Sequence, residues 1–106
     1  MQRHIMIVPL TLPSKSIAFQ VRAYDQEGGS YSLSPTEETM ANAAYEAIVA
    51  WPHHEEAIDA ALDVAIQKLN QYGMTRTYCS YLEARSAGSA IDTEAVSAVG
   101  VALLRA

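Results

Sequence analysis

The sequence predicts an α+β fold: a small antiparallel sheet of three to four strands, two consecutive helices packed on one face, and a C-terminal helix or strand. Three features carry that expectation. Apolar residues near the N-terminus run together or alternate, those in the middle recur every three to four positions, and turn residues separate the two regions. At 106 residues, 50% hydrophobic and 18% charged, the chain is expected to form a single α+β domain over residues 1–106, being too apolar for a disordered tail.

Residues 5–8 form a short, β-branched apolar run ending at Pro9, which suits a buried strand. After a connection over 10–16, Ile17, Phe19, Val21 and Ala23 alternate with Gln20 and Arg22, the period of a strand with one wet face. Asp25, Gln26, Glu27, Gly28 and Gly29 read as a turn, and residues 31–33 return as a short hairpin partner. The single Phe19 and the single Trp51 are expected core anchors.

Ser34, Pro35 and Glu37 have the pattern of a capping box, with a hydroxyl cap, proline at the first helical position and a carboxylate three residues after the cap. A helix starting there carries Met40, Ala44, Ala47, Ile48 and Trp51 on one stripe and ends at Pro52. A second helix starts near His53 or His54 and buries Ile58, Ala61, Leu62, Ala65, Leu69 and Tyr72, with Gly73 as a left-handed cap. Residues 74–84, with Thr75, Thr77, Tyr78, Tyr81 and Leu82, have a β-rich composition and read as a strand; 86–89 reads as a small, flexible connection. The tail fits a helix capped by Asp92 or Thr93 that buries Val96, Val99 and Leu103. Gly100 and three valines weaken that reading, so 92–105 is left as helix or strand.

Nothing in the chain has the form of a catalytic signature. His53, His54, Glu55 and Glu56 crowd together, but neighbouring side chains on a helix diverge by about 100°, so they do not converge on one ion; they read as a polar helix start, with no metal or other cofactor expected. Cys79 lacks a nucleophile's context and reads as a buried, inert thiol. Gly28 and Gly29 lie between acids that repel phosphate, and Glu37 belongs to the cap. The expectation is therefore a protein without enzymatic activity. A lone cysteine implies a fold held by packing in a reducing, cytoplasmic compartment, and no apolar run approaches the roughly 20 residues of a membrane span.

Charge is more informative than any motif. Nine of the twelve acids, Asp25, Glu27, Glu37, Glu38, Glu46, Glu55, Glu56, Asp59 and Asp63, fall in a stretch with no Lys or Arg from residue 23 to 67. On the second helix Glu56, Asp59 and Asp63 lie opposite the apolar stripe and span about 10 Å of axis, forming an acidic ridge. With only seven dispersed Lys and Arg, direct nucleic-acid binding is disfavoured. The expected partner is a larger protein with a basic surface, engaged by Glu38, Tyr45, Glu46, Glu55, Glu56, Asp59 and Asp63. This is how nucleic-acid mimics and many small virus-encoded inhibitors work as a class, and the expected role is an inhibitor of that kind, such as a phage anti-CRISPR or DNA-mimic protein, by an analogy of charge only. In this reading Tyr45 and Val49 lie off the apolar stripe, among acids, as an aromatic anchor or beneath a neighbouring element. The alternative partner is a second copy: a structural or homodimeric module in which the strand over 74–84 and the C-terminal element pair with themselves.

Overall fold

A computed structural model describes residues 4–13 and 16–105, and it is α+β. Strands β1 (His4–Thr11), β2 (Ile17–Tyr24) and β3 (Ser30–Ser32) form an antiparallel sheet in the order β1-β2-β3. Helices α1 (Met40–Ala50), α2 (Glu55–Gln71), α3 (Thr75–Ala87) and α4 (Thr93–Leu104) follow, with a 3₁₀ turn at Pro52–His54 joining the first two.

Register fixes which strand residues share a face. Ile5 lies opposite Ala23, Ile7 opposite Val21, Pro9 opposite Phe19 and Thr11 opposite Ile17. Ile7, Ile17, Phe19, Val21 and Ala23 on this face are buried in one cluster with Met40, Ile58, Leu69, Tyr81, Val96, Val99 and Leu103 of the helices. Phe19 is fully enclosed, as expected of an anchor, and Tyr78 of α3 meets it edge-on with ring centroids 5.7 Å apart. α2 and α4 lie against β1, and α1 lies against β2. Gly100 lets α4 approach closely, since a Cβ there would stand 3.1 Å from Ile17 Cδ1.

The hairpin turn closes as its residues suggest. Asp25 Oδ1 accepts the amides of Glu27 (2.9 Å) and Gly29 (2.8 Å), and Gly28 takes the positive φ of 88°. Gly73 likewise has φ 70° after α2. Trp51 is half-buried at the C-cap of α1, and the proline that follows starts the 3₁₀ turn.

Helix α1 starts later than the capping box predicts. Ser34 is buried and its hydroxyl is already committed: Oγ accepts the Val21 amide at 3.0 Å and donates to the Pro35 carbonyl at 2.9 Å. Phe19 and Glu37 exchange two backbone bonds, 2.7 and 2.8 Å, so the chain stays extended along β2 through Glu37. Glu37 is thus held through its backbone to the sheet, where the capping box would have placed it three residues into a helix. Thr39 caps instead, its hydroxyl accepting the Asn42 amide at 3.0 Å.

The strand expected over 74–84 is helix α3. Met74, Tyr78, Tyr81, Leu82 and Arg85 recur at helical spacing, and their inward side is tied to the rest of the molecule by hydroxyl groups. Tyr78 Oη accepts the Met40 amide at 3.0 Å. Tyr81 Oη donates to the Ile17 carbonyl at 3.0 Å, with the Glu38 carbonyl at 3.1 Å. These long-range bonds outweigh the β preference of Thr and Tyr. Cys79 projects to solvent, contrary to its reading as a buried thiol, and the supposed flexible connection contains the left-handed cap Gly88, φ 68°. The tail resolves as helix: Asp92 Oδ1 accepts the amides of Glu94 and Ala95, and Val96, Val99 and Leu103 are buried.

Candidate partner-binding surface

The seven candidate residues fall into three places. Glu55, Glu56, Asp59 and Asp63 are all exposed on α2, whose buried side is Ile58, Ala61, Ala65 and Leu69. At about 100° per residue, the four carboxylates occupy one arc of roughly 100° centred away from the core. Among the described residues none of them has a salt-bridge partner. Glu55 and Glu56 also lie in the first turn of α2, where the positive end of the helix dipole favours them.

Tyr45 and Glu46 sit on α1. Tyr45 is 65% exposed and Val49 beside it 61%, so neither is covered by a neighbouring helix. Ala41 lines a cleft with Leu62 and Ile66, which marks the side of α1 that meets α2. Tyr45 lies about 40° beyond Ala41 on the helix circumference and Glu46 about 140° beyond it, so Glu46, half-buried, points away from the α2 carboxylates.

Glu38 stands apart for another reason. Arg85 of α3 forms a salt bridge with it, Nε also donating to Oε2 at 3.2 Å across 47 positions of sequence. The pair rims the cleft between α1, α2 and α3, and it neutralises the one candidate carboxylate that lies there.

Sequence reasoning missed an aromatic group beside the ridge. Trp51 packs with Tyr31 (centroids 6.1 Å), stacks with His54 (5.9 Å, 22° between planes) and lies 6.1 Å from His53, while the two histidine rings are 4.2 Å apart. This surface ends where Glu55 begins. The signal was present, since Trp51, His53 and His54 directly precede Glu55 and Glu56.

Two tyrosines are electrostatically perturbed, both away from the ridge. Burial raises the Tyr78 hydroxyl above its ordinary pKa, opposed by its hydrogen bond to Met40. Burial likewise raises Tyr81, with a further upward contribution from Tyr78. Both hydroxyls are structural anchors. Among the described residues no three His, Cys, Asp or Glu side chains gather in a way that could hold a metal ion, and no helix is long and apolar enough to cross a membrane. The chain matches no protein-family model, and no curated protein or solved structure is detectably similar to it.

Proposed function

We propose that this chain is a non-enzymatic interaction protein whose α2 ridge docks on the cationic, nucleic-acid-binding surface of a larger protein and blocks it. The observation that carries the reading is the outward arc of Glu55, Glu56, Asp59 and Asp63, unneutralised among the described residues. Carboxylates fixed along a rigid helix are preorganised, so they lose little conformational freedom on meeting a groove built for phosphates. The Trp51 and His54 rings at the head of the ridge add a face on which an arginine guanidinium can stack. Glu38 contributes less than its charge suggests because Arg85 competes for it, and Glu46 belongs to a different side. The docking surface narrows to the four α2 acids, with Tyr45 as a neighbouring anchor.

The test is capture of host proteins on the immobilised chain, comparing the parent with the variant Glu56→Lys, Asp59→Lys, Asp63→Lys. A basic partner held by the parent at about 50 mM salt and released by about 500 mM should be lost from the variant, because the ion pairs are screened and then reversed. Retention of the same partner, with the same salt dependence, by a variant whose circular dichroism matches the parent would show that the ridge is not the docking surface.

A further inference from the structure

Strand β1 presents an unpaired ladder. On β2, Phe19 and Val21 aim their backbone groups at the β3 side, where they meet Glu37, Leu33 and Ser34. Alternation along an antiparallel strand turns Ala18, Gln20, Arg22 and Tyr24 toward β1, opposite Leu10, Val8, Met6 and His4. Ile5, Ile7, Pro9 and Thr11 therefore direct their backbone groups outward, and among the described residues no strand pairs with them. Pro9 has no N–H to offer on that side, but the amides of Ile5, Ile7 and Thr11 and the carbonyls of all of these residues stand in a row. Another polypeptide in extended form supplies the matching alternation of acceptor and donor.

The neighbouring helix says what kind of polypeptide. A cleft of 290 Å³ between β1 and α2 is lined by Ile5, Ile7, Ala57, Ala60 and Val64, and an added strand would lay alternate side chains in it. Helical geometry puts Glu56 about 40° and Asp63 about 60° round α2 from Ala60, on the side away from the core, so the solvent rim of the cleft is acidic. Neither carboxylate has a salt-bridge partner among the described residues. Glu56 lies about 6 Å before Ala60 along the axis and Asp63 about 4.5 Å after it, close to the spacing of about 6.6 Å between same-face side chains of a strand. Strand β1 itself carries no Lys, Arg, Asp or Glu. Lys68 also lines the cleft, about 12 Å of axis beyond Ala60, and its Nζ donates to the Leu103 carbonyl at 3.3 Å, which directs its charge at the end of α4.

We infer that the β1 edge takes an extended basic segment of the partner protein as a further strand, with an apolar side chain over Ala60 and Val64 and a Lys or Arg two residues to either side that reaches Glu56 and Asp63. The ladder supplies affinity without regard to sequence, and the cleft with its acidic rim supplies the choice of segment. Val64, 51% exposed, is covered by the incoming apolar group. The same two carboxylates oppose a second copy of this chain, whose own net charge is −5. The inference rests on the reading that the partner is cationic, and it adds that the contact beside the ridge is a strand.

Amide-resolved NMR of the purified chain with the end-blocked peptide Thr-Lys-Thr-Val-Thr-Lys-Thr tests it. Binding should shift the Ile5, Ile7 and Thr11 amides, slow hydrogen exchange at Ile7, and weaken as salt is added. Ala60→Arg, at an exposed helical position, should weaken binding about tenfold or more and leave the far-ultraviolet spectrum unchanged. The same peptide with its central amides N-methylated keeps the charge and loses the ladder, so it should not protect Ile7. If that peptide binds as tightly as the parent peptide, and Glu56→Lys with Asp63→Lys abolishes the binding of both, the acidic ridge stands and the added strand is overturned. Equal binding of Thr-Glu-Thr-Val-Thr-Glu-Thr overturns the strand inference and the cationic partner together. No binding of the lysine peptide, or protection of Ile7 on concentrating the chain alone, also overturns the inference, the latter by making a second copy the occupant.

Discussion

Helices α2 and α3 lie side by side and are held in opposite ways. α2 is specified by its own sequence: Ile58, Ala61, Ala65 and Leu69 form a continuous buried stripe, and acids cover the outward side. α3 buries fully only Tyr81, and it keeps its place through tyrosine hydroxyls bonded to backbone of α1, β2 and the segment before α1. An amphipathic stripe makes a helix in any context that offers an apolar surface; hydroxyl anchors make one only where the acceptors already stand. α2 is accordingly the rigid platform, and α3 is the element whose order depends on the rest.

Cutting the stripe is the most severe way to break that contrast. Ile58→Ala removes a fully buried side chain from α2 and should cost about 2–5 kcal/mol in urea unfolding. The loss should appear as a lower midpoint for the whole protein, because α2 underlies the sheet. A change confined to α2 probes would mean that the helix is not the platform described.

Removing an anchor has a smaller and more local effect. Tyr81→Phe keeps the ring but strips the donor from the Ile17 carbonyl, and it should cost about 1–3 kcal/mol. Hydrogen exchange should show α3 amides opening before those of α2. Equal acceleration in both helices would show that they unfold as one unit.

Alkali sharpens the same contrast more gently. Burial raises the Tyr78 and Tyr81 pKa values, so the folded state disfavours the phenolates relative to the unfolded chain. Stability from these groups is fully present below the ordinary tyrosine pKa of about 10 and is lost as pH climbs through the raised folded values. α3 should loosen above about pH 10 while α2 retains its protection. Tyr78→Phe with Tyr81→Phe should flatten that dependence; an unaltered alkaline profile would place its origin in other groups.

The same division explains what could be read in the sequence. The alternation through Ile17, Phe19, Val21 and Ala23, the α2 stripe, Gly73 and Asp92 are local signals, and the structure follows them. Ser34, Pro35 and Glu37 also form a local signal, but β2 needs that stretch as an edge partner, and the Ser34 hydroxyl replaces a missing backbone acceptor for Val21. Residues 74–84 look like a strand because Thr and Tyr favour one, and their acceptors at Ile17 and Glu38 lie 64 and 43 positions away from Tyr81. The α2 ridge was legible because one helix carries it. The neutralisation of Glu38 was not, because Arg85 arrives from a distant helix. Cys79 follows from the same misreading: once residues 75–87 form a helix, it turns away from the side that Tyr78 and Tyr81 bury.

The brevity of β3 bounds what the sheet can become. At three residues, Ser30–Ser32, it offers a newcomer almost no ladder, and the chain beyond it runs along β2 to Glu37. In the extended stretch that follows, Pro35 has no N–H to donate, so an incoming strand finds no continuous ladder on that margin. Edge-to-edge pairing is thereby blunted on one side of the sheet, which leaves β1, among the described strands, as the margin with a long run of backbone groups to offer.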